Sequence, residues 1–284
     1  LLGLSGAESL SAAANIFVGI ESSLTIQPYL TKMTRSELLT LMTCMMATVA
    51  STVMGIYVIA LRDIFPQIAG HLVSASIISI PCAVIASKLS LPELEIPETL
   101  GESPQTESHT ERSSNFMVAL VQGGSQGVKM AVGIATVLIV VLGLEALVDL
   151  VLAKLFGPDL SVQNLLGWMT IPFTAIMGLR SEEWQLAGQI LGSRFVETEV
   201  SAYFALAQAQ MADPAPFTQR SVTILTYALC GFVHLASMGI FIGGLTALVP
   251  SRASDITLIG ARALWTAFLT TLLTGCIAGA LVIA

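Results

Sequence analysis

The chain of 284 residues carries a formal net charge of −7, is 54% hydrophobic and only 11% charged, and has a mean hydropathy of +0.82. Because soluble globular domains contain about 25% charged residues, this composition excludes an ordinary soluble domain and predicts an all-α polytopic membrane protein. The sequence has no basic patch, phosphate-binding loop, zinc motif or nucleophile–base constellation. We therefore expect no nucleic-acid partner, no cofactor and no enzymatic activity.

Apolar segments long enough to cross a bilayer, about 20 residues each, recur along the chain. The predicted spans are 38–61, 71–90, 131–155, 222–249 and 256–284. Residues 92–114 are polar and rich in Pro, Glu, Ser and Thr, which predicts a solvent-exposed loop. Residues 115–130 are only moderately apolar and predict an interfacial helix. A shorter apolar stretch at 161–177 is interrupted by Pro172.

Two regions, 1–30 and 183–212, are too short or too interrupted by glycine and glutamate for simple spans. Each precedes a basic turn and a long span, and each contains the pattern Phe-Val-x-x-Glu, which ends at Glu21 in the first and at Glu199 in the second. Paired interrupted segments in corresponding positions indicate a transporter site. Three predicted crossings between them would give the halves opposite orientations. The sequence therefore predicts inverted repeats with two re-entrant helical hairpins.

The two glutamates in these patterns are the first candidate site residues. An ionised carboxylate in hydrocarbon is costly, so such a residue is expected to face a cavity or a partner. We expect Glu21 and Glu199 to face one shared substrate cavity. The alternatives are an exposed hairpin turn for Glu21 and, for Glu199, an ion pair with Arg194 or with another basic residue.

The predicted organisation has four parts. Residues 1–91 form the first hairpin and two spanning helices, and 92–114 form the polar loop. Residues 115–180 form the interfacial helix, a scaffold span and a connecting segment, and 181–284 form the second hairpin and two spanning helices. Because the chain starts within an apolar segment, we expect it to be the C-terminal part of a longer protein with further membrane helices.

Several blocks of sequence are specific enough to indicate a family. They are SGAESLSAAANIFVG, PYLTKMTRSEL, HLVSASIISIPCAVIASKLSLPE, VETEVSAY, YALCGF and GGLTALVPSR. Together and in this order, they resemble the C-terminal two-thirds of the concentrative nucleoside transporters. The resemblance implies a homotrimer in the cytoplasmic (inner) membrane of a prokaryote. It also implies cation-coupled nucleoside uptake by an elevator-type movement of a transport domain, with the family's N-terminal helices absent from this chain.

The resemblance further implies a substrate site. Its residues are Gly19, Ile20, Glu21, Glu199, Phe232, His234 and Ser237. At the first hairpin tip, Glu21 takes the place of the family glutamate that contacts the nucleobase, Ile20 replaces a glutamine, and the tip is one residue shorter. Glu199 and Ser237 match residues that contact ribose. His234 replaces an asparagine, and although it can donate and accept hydrogen bonds similarly, it can also be protonated; the alternative is a histidine satisfied by a neighbouring carbonyl.

The family resemblance also implies a sodium site. Its residues are Asn15, Val18, Thr48 and Val49, with side-chain oxygens from Asn15 and Thr48 and backbone carbonyls from the two valines. Neutral oxygens suit a monovalent cation because they replace its hydration shell. Thr48 could instead bond to the carbonyl four residues earlier in its own helix.

Three functions follow from these expectations. The first is a cation-coupled nucleoside symporter, with sodium favoured over protons. The second is a transporter of the same fold with proton coupling or a different nucleoside-like substrate, as Ile20 and His234 suggest. The third is a membrane binding or sensor module that does not transport.

Overall fold

The computed structural model describes residues 3–49, 51–63, 65–102, 116–157 and 160–282. The first series of helices is α1 (Gly6–Ala14), a 3-10 helix called the tip helix (Ile20–Tyr29), α2 (Arg35–Ala47), α3 (Ser51–Leu61) and α4 (Ile68–Ser90). Both α1 and α2 begin with a capping box in which a Ser or Thr hydroxyl and a glutamate three residues later satisfy backbone N–H groups.

Two helices connect this series to a second one of similar order. The connecting helices are α5 (Phe116–Phe156) and α6 (Val162–Ile176). The second series is α7 (Trp184–Ser193), α8 (Glu199–Gln210), α9 (Gln219–Leu229), α10 (Leu235–Leu248) and α11 (Ala253–Leu281). In each series, two short elements precede two further helices separated by a gap of a few residues, and a long helix comes last.

The predicted interruptions in 1–30 and 183–212 are confirmed. In the first region the backbone leaves the α-helix after α1 and continues as the tip helix; in the second it leaves the helix after α7 and resumes as α8. Thr198 caps the N-terminus of α8, where its hydroxyl accepts a bond from the Ser201 N–H. Each region therefore provides helix ends, whose free backbone groups can bind ligands.

Continuous helices over 38–61 and 222–249 were the wrong expectation. α2 ends at Ala47 and α3 begins at Ser51, while α9 ends at Leu229 and α10 begins at Leu235. Residue 50 lies outside the described part of the chain. The apolar composition of both segments hides these gaps because a hydropathy profile does not report backbone direction.

The two gaps meet each other in space. Gly231, in the gap between α9 and α10, has a φ of +151°, and a Cβ at this position would lie 2.9 Å from the carbonyl oxygen of Met46 in the last turn of α2. Only glycine adopts this backbone at low cost while leaving room for such an approach. The broken helices of the two series therefore cross at their gaps.

The interfacial helix predicted at 115–130 is not a separate element. These residues, from Phe116 onward, continue without a break into the span at 131–155 as the single helix α5. Among the described residues, three helices are long and apolar enough to cross a membrane: Ile68–Ser90, Ala135–Phe156 and Pro250–Leu281. These spans confirm the predicted all-α polytopic membrane fold.

The core lies around α11, which packs against α2, α4, α9 and α10. By contrast, the spanning part of α5 contains no fully buried residue, although it packs on α10. α6 packs closely on α7 at glycines: a Cβ on Gly192 would lie 2.4 Å from the backbone nitrogen of Gly167. The crossing gaps thus sit within a well-packed group of helices, and α5 is at its periphery.

Candidate functional site

Glu199 is the first residue of α8, and its side chain is only 3% exposed. The N-terminus of a helix carries a partial positive charge that favours a carboxylate there. The hydroxyl of Tyr57, on α3, donates a hydrogen bond of 2.6 Å to Oε1 of Glu199. This bond joins the first series of helices to the second at a buried charged group.

His234 contacts the other oxygen of the same carboxylate. It caps α10: the Ser237 N–H donates to Nδ1 at 3.0 Å, so Nδ1 is an acceptor and the ring proton lies on Nε2. Nε2 lies 3.2 Å from Oε2 of Glu199 in a close contact, while Oε2 accepts no hydrogen bond among the described residues. The alternative expectation was that a neighbouring carbonyl satisfies His234. The structure shows instead that the ring caps α10 and contacts Glu199.

Ser237 and Phe232 complete this part of the site. The Ser237 hydroxyl donates to the carbonyl oxygen of Phe232 and accepts a bond from the His234 N–H at 3.2 Å. The Phe232 ring is partly buried, 6.4 Å from the Phe241 ring. The structure thus brings Glu199, His234 and Ser237 together at the start of α10, next to Phe232.

Arg194, the alternative partner predicted for Glu199, is directed elsewhere. Its side chain is fully buried, and its guanidinium donates to the carbonyl oxygens of Ala228 and Gly231, the latter at 3.1 Å. These carbonyls lie at the C-terminal end of α9, where backbone acceptors lack helical partners and a cation is favoured. Arg194 therefore supports the gap between α9 and α10, and Tyr57 and His234 contact Glu199.

The candidate cation residues form a second cluster. Asn15 follows α1 and Thr48 follows α2, and Nδ2 of Asn15 donates to Oγ1 of Thr48 and to the carbonyl of Cys44, both at 2.6 Å. Thr48 also donates to the Cys44 carbonyl at 3.0 Å, the bond within its own helix that was the alternative expectation. Ser22, on the tip helix, donates to Oδ1 of Asn15 at 3.2 Å.

Helix geometry makes this cluster a candidate cation site. The C-termini of α1 and α2 converge there, and each carries carbonyl groups without helical partners and a partial negative charge. The amide NH2 group of Asn15, with its partial positive charge, now bonds to the oxygens that a cation would need. Val49, two residues after the end of α2, is buried, and Val18, four residues after the end of α1, is exposed.

The predicted first hairpin tip is described only in part. Gly19 precedes the tip helix, and its carbonyl accepts a bond of 3.0 Å from the Ser22 N–H. The side chains of Ile20 and Glu21 lie outside the described part of the chain, so the expectation that Glu21 shares a cavity with Glu199 stays a prediction. The tip helix itself packs against α10 and α2.

Sequence reasoning missed Tyr57 and Ser22. Tyr57 lies 142 residues from Glu199 along the chain, so no local spacing indicates their contact. A tyrosine within an apolar segment was itself a signal, because a buried phenol needs a hydrogen-bond partner. Ser22 follows the candidate Glu21 directly, and a polar residue at a hairpin tip could have been included for that reason.

Comparison with a family model identifies the family of this chain. The model of the "Na+ dependent nucleoside transporter C-terminus" matches residues 71–279. The chain belongs to this nucleoside transporter family. The predicted resemblance is confirmed, and because the family and its members are transporters, so is the prediction that the chain is not an enzyme.

Relatives cover nearly all of this transporter-family chain. It is 37% identical to Solute carrier family 28 member 3 of Rattus norvegicus, over 99% of the chain and 41% of the relative. Sodium/nucleoside cotransporter 1 of the same species is 35% identical, over 99% of the chain and 45% of the relative. The uncharacterized transporter YutK of Bacillus subtilis is 34% identical, over 98% of the chain and 68% of the relative. The chain thus spans less than half of the mammalian proteins.

Solved structures agree with the fold. CNTnw in an inward-facing substrate-bound state is 30% identical, with a TM-score of 0.80 over 98% of this chain and 65% of that one. A variant of CNTnw in an intermediate state gives a TM-score of 0.86 at 31% identity, over 98% of this chain and 66% of that one. The order of helices described above is therefore that of a nucleoside transporter.

Proposed function

We propose that this chain carries the substrate and cation sites of a sodium-coupled nucleoside symporter. The observation that carries the proposal is the buried carboxylate of Glu199, contacted by Tyr57 and His234 where the broken helices cross. The family membership and the sodium/nucleoside cotransporters among the relatives support it.

The carboxylate suits a sugar with two neighbouring hydroxyl groups. A carboxylate accepts several hydrogen bonds, and bonds to a charged acceptor are stronger than neutral ones. Glu199 has already accepted one bond from Tyr57, and its remaining lone pairs can accept from a vicinal diol. A buried site built to bind hydroxyls discriminates strongly against an analogue that lacks them. Gly19, Ile20, Glu21, Phe232 and Ser237 would form the rest of the substrate site.

The coupling cation would bind between α1 and α2. Asn15 and Thr48 would supply side-chain oxygens, and Val18 and Val49 would supply backbone carbonyls, all of them neutral. Because the Asn15 network includes Ser22 on the tip helix, a bound cation would order the first hairpin next to α10. Sodium and nucleoside would then increase each other's affinity by the same factor.

Transport would follow from movement of the domain that carries both sites. The four-part division of the chain at residues 91, 114 and 180 supplies the two hairpins and a scaffold span, and the elevator movement and the homotrimer belong to this proposal. The unburied face of α5 supports a scaffold role. We place the protein in the cytoplasmic (inner) membrane as a multi-pass transporter.

The direct test is uptake of labelled uridine by the full-length protein in liposomes. An inward sodium gradient should drive accumulation, and a pH gradient alone should not. Glu199→Gln should abolish uptake. Uptake that ignores sodium and follows the pH gradient would overturn the sodium assignment, and nucleoside binding without uptake would favour a binding or sensor module.

Proton coupling is the second candidate because one observation favours it. His234 is a protonatable group in contact with the buried Glu199. However, the Ser237 N–H donates to Nδ1, and a doubly protonated ring could not accept that bond. That capping bond gives the ring a structural role, and we keep sodium as the primary assignment because the relatives include sodium/nucleoside cotransporters.

A further inference from the structure

Tyr57 is a buried aromatic residue that neither the sequence motifs nor the proposed substrate contacts include. Its side chain is fully buried on α3, and its hydroxyl hydrogen bonds to Oε1 of Glu199. Since α3 belongs to the first series of helices and α8 to the second, this bond connects the two halves at the Glu199 carboxylate.

The ring of Tyr57 is held independently of Glu199. It stacks on the ring of Tyr203 with centroids 4.6 Å apart and an interplanar angle of 25°. Tyr203 is itself fixed by its complete burial in the core, and its hydroxyl donates to the carbonyl of Thr226 at 2.7 Å. The stack with Tyr203 thus orients the phenol of Tyr57, and the Glu199 carboxylate accepts its hydrogen bond.

Contacts at both oxygens hold the carboxylate in one orientation. Tyr57 contacts Oε1 and His234 contacts Oε2, so rotation of the group would break both contacts. The lone pairs that remain then point in fixed directions, and a ligand with two suitably spaced hydroxyls meets a prepared acceptor. Pre-organisation of this kind raises affinity by reducing the entropy lost on binding.

The same residue also lies on the path from the candidate cation cluster. α3 begins at Ser51, directly after Thr48, Val49 and residue 50, and Tyr57 lies about two turns along it. From Ser51 to Tyr57 the connection is a continuous helix, so if cation binding shifts the start of α3, the Tyr57 hydroxyl shifts with it. The contact with Glu199 then reports the state of the cation cluster.

We propose that Tyr57 is a positioning residue that holds Glu199 for ligands with a vicinal diol and transmits cation binding from the gap after α2 to this carboxylate. The inference rests on the proposed function. Its distinguishing feature is that Tyr57 acts through Glu199 without touching the ligand.

The test is ligand binding to Tyr57→Phe in the purified full-length protein, with uridine and 2′,3′-dideoxyuridine as probes, in the presence and absence of sodium. Phenylalanine keeps the stacked ring and removes only the donor. We expect uridine affinity to fall about tenfold, in line with one lost hydrogen bond to a charged group, and dideoxyuridine affinity to stay unchanged. The gain in uridine affinity caused by sodium should also shrink.

Tyr203→Phe is the matched control because it removes a buried hydroxyl from the same stack without a contact to Glu199. This control should leave unchanged both the ratio of uridine affinity to dideoxyuridine affinity and the gain in uridine affinity caused by sodium. In a Glu199→Gln background, Tyr57→Phe should add less than about a twofold change, since the two residues act as one unit.

Three results would overturn the inference. They are an unchanged ratio and sodium effect in Tyr57→Phe, equal effects in Tyr203→Phe, and full additivity with Glu199→Gln. If Tyr57→Phe fails to fold where Tyr203→Phe folds, the hydroxyl is structural and the inference also fails. A wild-type protein that binds neither probe contradicts the proposed function itself, which separates the two failures.

Discussion

Gly231 approaches the last turn of α2 so closely that a methyl group on its Cα would lie 2.9 Å from the carbonyl oxygen of Met46. The first gap, with Thr48, and the second gap, with His234, therefore occupy one region of the molecule. Residues far apart in sequence become neighbours of a single site through this contact.

Gly231→Ala should destabilise the protein strongly. The substitution strains a backbone with a φ of +151° and forces Met46 or Thr271 to move, which together cost about 2–5 kcal/mol. Thermal unfolding in detergent measures the effect. Gly243→Ala on α10 is the control: nothing lies within 4 Å of its Cβ position, so this variant should be unchanged or slightly more stable. Equal melting temperatures for the two variants would contradict the close approach of Gly231 to Met46, and with it the crossing of the two broken helices.

Glu199→Gln should weaken nucleoside binding about 10- to 100-fold. The amide keeps the shape of the side chain but loses the charge that strengthens hydrogen bonds from hydroxyl donors. Equilibrium binding of labelled uridine measures the loss. Glu197→Gln, two residues earlier and bonded to the Ser201 hydroxyl, should bind nearly as the wild type does. A similar loss in both variants would mean that the effect is not specific to this carboxylate.

His234→Ala and His234→Asn should behave differently. Asparagine is a good N-cap and replaces the Ser237 contact, whereas alanine leaves the first turn of α10 uncapped at a cost of about 1 kcal/mol. We expect His234→Asn to keep the wild-type melting temperature and sodium-driven uptake, and His234→Ala to lower both. Loss of all driven uptake in His234→Asn, in a folded protein, would instead support proton coupling through this histidine.

Thr48→Val should raise the sodium concentration needed for half-maximal uptake about tenfold or more, because it removes one oxygen ligand. The change is nearly isosteric. Thr43→Val provides the control on the same helix: the Thr43 hydroxyl is buried and makes no hydrogen bond within the described part of the chain. Uptake titrated with sodium should separate the two variants, and identical titrations would argue against a cation site at Thr48.

The sequence predicted the parts of the fold that leave a mark in composition. Glycine and glutamate within apolar regions indicated the interruptions after α1 and α7, and the fold class followed from the apolar runs. The gaps after Ala47 and Leu229 were missed, since the residues around them are apolar or small and satisfy a hydropathy criterion. The 41-residue length of α5 was missed for the opposite reason, because its glycine-rich start resembled a boundary.

The site was predictable where a residue type is unusual for its surroundings. Glu199 and His234 are polar groups in apolar segments, and the structure brings them together. The redirection of Arg194 to the end of α9 and the contact of Tyr57 depend on tertiary packing. No spacing in the sequence contains that information.

The length of α5 makes it a natural marker of membrane sidedness. At 1.5 Å per residue, its 41 residues extend about 61 Å, roughly twice the hydrocarbon thickness. Even at a tilt of about 40°, some 15 residues must emerge into water. The start of the helix carries the polar stretch QGGSQGVK, so the emerging part is this start, where Ser125 is exposed. A cysteine at Ser125 should react with an impermeant maleimide from one side only, which would reveal the topology of the chain.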